Sequence, residues 1–161
     1  MVTTTAPAVP TFTTSLGHQT VANQRTKTGF RDVHQDQESA DQMMLHDAKI
    51  VSLDLSTPKC AVIGFIEPTG TPLKLVLQEL DRLRACDFRQ GNIVLDVVIT
   101  TRCAPRLETL RRLFDLKEGE PTPEYLQSKA SKVESGDLTL VHIEPSYGCE
   151  LMALCKTATL L

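Results

Sequence analysis

The run Ile93-Val94-Leu95-Asp96-Val97-Val98-Ile99-Thr100-Thr101 constrains the fold more than any other stretch of this chain. Its alternation is that of a β-strand. Ile93, Leu95, Val97 and Ile99 fall on one face, and Val94, Asp96, Val98 and Thr100 fall on the other. Such a strand has to be covered, and aliphatic residues must do it: 41 % of the chain is hydrophobic, only 4 % is aromatic, and Trp is absent. A core of Leu, Val and Ile packs well, but it offers few flat rings for stacking on bases.

Four further strands and three helices follow from spacing. Residues 50–55 read as a strand with Val51, Leu53 and Leu55 on one face and Ser52 and Asp54 on the other. Ser56, Thr57 and Pro58 turn the chain into 60–66, which is apolar on both faces and therefore central. Thr71-Pro72 predicts a helix start, with Leu73, Val76, Leu77, Leu80 and Leu83 on one face as far as Asp87. Beyond strand 93–101, Pro105 opens a helix through Leu107, Leu110, Leu113 and Phe114, with Glu108 and Arg112 spaced as an ion pair. Thr122-Pro123-Glu124 opens another, with an acid in its first turn. Residues 138–143 and 149–157 are the last strands, joined across 144–148. The expected class is α+β: an antiparallel-rich sheet in the order β-β-α-β-α-α-β-β, with helices on one face.

Residues 1–45 lack this periodicity. Nine of the first 28 residues are Thr, with Pro, Gln and Ser between them, so a disordered tail over 1–45 is expected ahead of a single compact domain over 46–161. Met43, Met44 and Leu45 form a small apolar patch that suits a short helix over 38–46. The first ten residues have neither a basic start nor an apolar stretch, and no apolar run reaches bilayer length. The five cysteines, 60, 86, 103, 149 and 155, are odd in number and irregular in spacing, which speaks against a zinc ribbon. The expectation is reduced thiols in a cytoplasmic setting, with no cofactor and no metal.

The formal net charge is −3, which argues against nucleic acid or acidic membrane binding over the whole surface. The charge is uneven. Residues 82–112 hold seven arginines against Asp87, Asp96 and Glu108, so the segment is about four charges positive. Guanidinium forks suit phosphates, carboxylates and protein interfaces, so Arg102, Arg106, Arg111 and Arg112 are the candidate phosphate or partner contacts.

Motifs for catalysis are missing. The 64–70 segment lacks the glycines and the Lys-Ser/Thr pair of a phosphate loop, and neither a nucleophile-elbow serine nor a metal-binding His pair occurs. Cys103, His142 and Asp96 would make a nucleophilic set only if the fold brought them together; otherwise His142 is a half-buried, hydrogen-bonded histidine. His18, His34 and His46 sit at irregular spacing in or beside the tail, without the preorganisation a metal needs. The run Glu120-Pro121-Thr122-Pro123-Glu124-Tyr125-Leu126 resembles the short Pro-rich budding motifs of some viral matrix proteins, and reads equally as a helix entry. Near the C-terminus, Leu151, Met152 and Leu154 lie on a strand that is apolar on both faces, which predicts an edge open to a second copy. The expected function is a non-enzymatic, homo-associating structural or interaction protein, a small matrix-like viral protein being one concrete form. Alternatives are a nucleic-acid-binding module using residues 82–112 and a cysteine-dependent enzyme.

Overall fold

The computed structural model describes residues 45–161. The tail expected over 1–45 therefore lies outside the described residues except for Leu45, as do His18, His34 and most of the helix expected over 38–46. Eight strands and two helices make up the described part. They are β1 (Lys49–Asp54), β2 (Cys60–Ile66), β3 (Pro72–Gln78), β4 (Arg82–Cys86), β5 (Asn92–Thr100), α1 (Leu107–Leu113), α2 (Glu124–Ser135), β6 (Thr139–Tyr147), β7 (Glu150–Cys155) and β8 (Thr157–Leu160). All strands belong to one sheet in the order β4-β7-β6-β5-β1-β2-β3-β8, and every pairing in it is antiparallel.

The two ends of that row are joined. β3 runs into β4 across three residues, 79–81, and β7 runs into β8 across Lys156 alone. The combined strand β3–β4 pairs with the combined strand β7–β8: Leu77 faces Ala158 in one half and Leu83 faces Ala153 in the other. At the junction the Lys156 amide donates to the Gln78 carbonyl at 3.0 Å, and the Asp81 amide donates to the Leu154 carbonyl at 2.8 Å. The sheet thus returns on itself, which removes most of the free edges an open sheet would carry.

Alternation along β7 sorts the core into two parts. Leu151, Ala153 and Cys155 point inward and join Ala61, Ile63, Phe65, Leu75 and Leu77 in one cluster. Met152 and Leu154 point the other way, where they join Leu140 with Leu110, Leu113, Leu126 and Val133 of the helices. Both sides of the strand are fully buried.

Several expectations are corrected here. The helix expected from Thr71 to Asp87 is two strands, β3 and β4. Leu73, Leu75 and Leu77 alternate with Lys74, Val76 and Gln78, so the segment carries a period of two as well as a helical one, and pairing on both sides selects the strand. The element order β-β-α-β-α-α-β-β is accordingly replaced by five strands, two helices and three strands. On β1, Val51 is 51 % exposed, because a bulge between Ile50 and Ser52 turns it outward while Leu53 packs against the core; Leu55, 53 % exposed, lies past the end of the strand. A second irregularity between Val94 and Asp96 puts Val94 beside Val97 in the core and leaves Leu95 exposed. The C-terminal strand is not an edge: β7 is bonded to β4 on one side and β6 on the other.

Two close approaches set the geometry. Gly64 faces Ser52 across β1 and β2, where a Cβ would stand 2.3 Å from the Ser52 hydroxyl. The fully buried Asn92 accepts the amides of Arg89 (2.9 Å) and Cys149 (3.0 Å) through Oδ1 and donates to the Arg89 carbonyl at 2.6 Å. It thereby ties the start of β5 to the β6–β7 hairpin, whose Gly148 (φ 87°) leaves room for it.

The burial of Met152 leads to a direct expectation. Met152→Ala should lower the unfolding free energy by about 2–5 kcal/mol through the cavity it leaves. Met152→Lys should prevent folding, because its charge would have no partner beneath the helices. Urea denaturation followed by circular dichroism measures both.

Candidate functional site

The outward faces of β4, β7 and β6 bring charged side chains into register. Cys86 faces Glu150 and Arg84 faces Met152, while His142 faces Met152 from the other side. His142 is buried, and its Nε2 hydrogen-bonds Glu150 Oε1 at 2.9 Å. Its Nδ1 lies 3.5 Å from Glu144 Oε1. Arg112 of α1 bonds the second oxygen of Glu150, so the carboxylate is held between a ring and a guanidinium. Burial alone would raise the pKa of Glu150, but the hydrogen bonds from His142 and Arg112 outweigh it and hold the carboxyl below its ordinary 4.5.

Beside this network stands a second one. Asp115, just after α1, receives Arg82 at 2.9 Å and Arg84 at 2.8 Å. Arg82 also donates to the Leu113 carbonyl at 2.9 Å and lies over the Phe114 ring at 5.1 Å. Arg84 bonds the Arg112 carbonyl and, through Nε, Cys86 Sγ at 3.1 Å. Arg111 bonds Thr122 Oγ1 at 3.1 Å and the carbonyls of Lys117 and Glu120 at 2.7 and 2.9 Å. These arginines fasten α1 to β4 and β7 and hold the loop between the helices.

The predicted binding residues therefore divide. Arg111 and Arg112 are engaged within the chain. Arg102 and Arg106 are exposed, and no hydrogen bond or ion pair of either guanidinium occurs among the described residues. Both lie in the loop after β5 with the exposed Cys103. The seam residues Leu151, Met152 and Leu154 are each fully buried, so the surface expected from them is filled by the chain's own helices and strands.

The nucleophilic set does not assemble. The polar neighbours of His142 are Glu150 and Glu144, not Cys103. Cys149 and Cys155 are buried, and desolvation pushes both thiols up to about 11, which suits core residues rather than nucleophiles. Among the described residues no group of three His, Cys, Asp or Glu side chains is arranged to hold a metal ion. The Pro-rich segment serves as a helix entry: Pro123 caps α2, Arg111 holds Thr122, and Tyr125 packs on Phe114 with ring centres 5.7 Å apart.

Spacing did not flag Glu144, Glu150 or Asp115. The hairpin turns at Gly148 rather than over five residues, so β6 runs on to Tyr147 and brings Glu144 near Glu150. Among the described residues, no helix is long and apolar enough to cross a membrane. Comparisons with protein-family models, with curated proteins and with solved structures find no match to this chain.

The depressed Glu150 carboxyl makes stability pH-dependent in one direction. A lowered folded pKa contributes stability that is complete above the unfolded value and lost as pH falls through the folded one. The Glu150 contribution should therefore be full above pH 4.5 and decline below it. Glu150→Gln should flatten the acid limb of a melting-temperature profile; an unchanged slope would assign the acid sensitivity to other groups. Iodoacetamide on the native chain should modify Cys103 and spare Cys149 and Cys155, as read by peptide mass mapping.

Proposed function

We propose that the chain is a non-enzymatic, self-associating structural or interaction protein, and that its seam is the outer face of β1, β2 and β3. In this reading both helices lie on one outward face, over β6 and β7, and leave the β1–β3 side uncovered among the described residues. The observation that carries it is a cluster of apolar side chains on that uncovered side. Val51 is 51 % exposed and Ile66 38 %, while the half-buried Val62 and Val76 face each other across β2 and β3. Gly64 flattens the centre of the patch. A monomer gains nothing from leaving such residues in water, whereas a second copy meeting them about a two-fold axis would bury them.

Size sets the strength. Three strands about 4.8 Å apart and about seven residues long span roughly 14 by 23 Å. That flat area of about 330 Å² is below the roughly 800 Å² per partner of a standard interface, so the association belongs to the weak, transient class. A matrix-like viral protein remains the concrete form proposed, although a net charge of −3 gives it little attraction to acidic lipid. The nucleic-acid alternative is left with Arg102 and Arg106. Two phosphate contacts imply a log–log salt slope of only about −1.8. For the cysteine-enzyme alternative, no His, Asp or Glu among the described residues is hydrogen-bonded to Cys103, and His142 is turned to Glu150 and Glu144.

Sedimentation velocity between about 1 µM and 1 mM spans the relevant affinities. The sedimentation coefficient should rise with concentration in the wild-type chain, and Val51→Lys with Ile66→Lys should hold it at the monomer value. A concentration-independent monomer in the wild-type chain would sink the proposal.

A further inference from the structure

β5 is bonded along its length on one side only. β6 pairs with it as far as Thr100. On the other side β1 pairs only at Ile93 and Asn92. The Asp47 amide and the Ala48 carbonyl extend that contact to Val94, at 3.0 and 2.9 Å, and His46 Nδ1 hydrogen-bonds the Leu95 carbonyl at 2.6 Å. From there to Thr100 no strand of the described residues pairs with this edge.

A groove of about 270 Å³ lies there, lined by residues 97–100 together with Cys103 and Arg106. Successive side chains of a strand point to opposite faces, so a groove touched by four consecutive residues runs along the backbone edge rather than over one face. The Val97 amide is already answered by Asp96 Oδ1 at 2.8 Å. At the far end stands Arg106, whereas Arg82, Arg84, Arg89, Arg111 and Arg112 are all held in hydrogen bonds or ion pairs within the chain, and the Arg102 side chain lies against Gly136 beyond α2. The Arg102 amide donates to the Val133 carbonyl at 2.9 Å, which fixes its loop against the end of α2.

We infer that this edge receives an extended acidic segment of a protein partner by strand addition. An open strand edge offers backbone groups that only another extended backbone can satisfy in a row, and alternate side chains then confer selectivity. Guest side chains on one face would meet the apolar Val97 and Ile99 side of the groove. Those on the other would lie beside Thr100 and Arg106. The Arg106 guanidinium selects a carboxylate there, so the guest alternates apolar and acidic residues.

Amide hydrogen exchange on the full chain, read by mass spectrometry, tests this. The probe is a capped synthetic peptide alternating Val and Glu, and its control alternates Val and Lys. Exchange across residues 95–100 should slow by about tenfold with the acidic peptide at roughly ten times its dissociation constant. The basic peptide should leave it unchanged. Arg106→Glu should exchange the two responses. The Arg106 side chain is exposed, so the variant's melting temperature should match the wild type, and Arg106→Gln should remove the preference without reversing it. Three results would overturn the inference. The acidic peptide could leave exchange unaltered, the two peptides could protect equally, or the edge could already exchange slowly without peptide, which would mean that another part of the chain or a second copy holds it. The first two leave concentration-dependent sedimentation untouched, and for the third the Val51→Lys with Ile66→Lys chain, held monomeric at the proposed seam, should keep the same exchange at 95–100, so the inference and the proposed seam fail separately.

Discussion

The fold depends on the seam where β3–β4 meets β7–β8. Without those pairings the sheet would be an open row from β7 to β3, with two long free edges and an apolar interior exposed to water. The seam is paired in two halves whose registers differ by one residue, and Glu79 absorbs that step with a backbone φ of 51°. Positive φ is uncommon for a residue with a side chain, and an exposed Glu at a bend is where it is tolerated. Closure then turns one face of every strand inward, and the long aliphatic residues of β2, β3 and β7 become a single core.

The arginine-rich segment takes its meaning from the same closure. β4 brings Arg82 and Arg84 to the outer surface beside β7, where α1 crosses. A short helix of seven residues contributes little apolar area, and its attachment is completed by guanidiniums reaching its C-terminal carbonyls and Asp115. Those carbonyls have no partners within a helix, so cations are favoured at that end on two grounds, hydrogen bonding and the helix dipole. A positive segment that reads as a phosphate binder is largely a set of helix fasteners.

How much of this was legible depends on whether one periodicity governed a segment. Strand 93–101, the helices opened at Pro105 and Pro123 and the last hairpin appear at nearly their expected positions, whereas the Thr71-Pro72 start belongs to a strand. The 72–86 segment carries two periodicities. Its leucines fit a helical face as well as an alternating strand, and the choice rests on partners at 60–66 and 150–160 that local pattern does not contain. The exposed faces of β1 and β5 were misassigned for a related reason, since one inserted residue reverses every side chain beyond it. The same limit hid the His142–Glu150 pair, which exists only because the hairpin turns tightly at Gly148.

Two surfaces escape the closure, and they differ in kind. The outer face of β1–β3 carries Val51, Val62, Ile66 and Val76 together with the exposed Lys49, Asp54 and Lys74, so association through it should weaken on cooling and should respond to salt only through those three charges. The β5 edge presents backbone groups beside the exposed Arg106, so binding there should weaken as salt screens that arginine, while the backbone ladder persists. Leu110 and Leu113 of α1 and Leu126 and Val133 of α2 are spent on Leu140, Met152 and Leu154, and the loop from Thr100 to α1 is anchored at the Val133 carbonyl. Among the described residues one strand edge and one face with an apolar cluster therefore stay outside the packed core, and these are the two features by which β-proteins most often meet other chains.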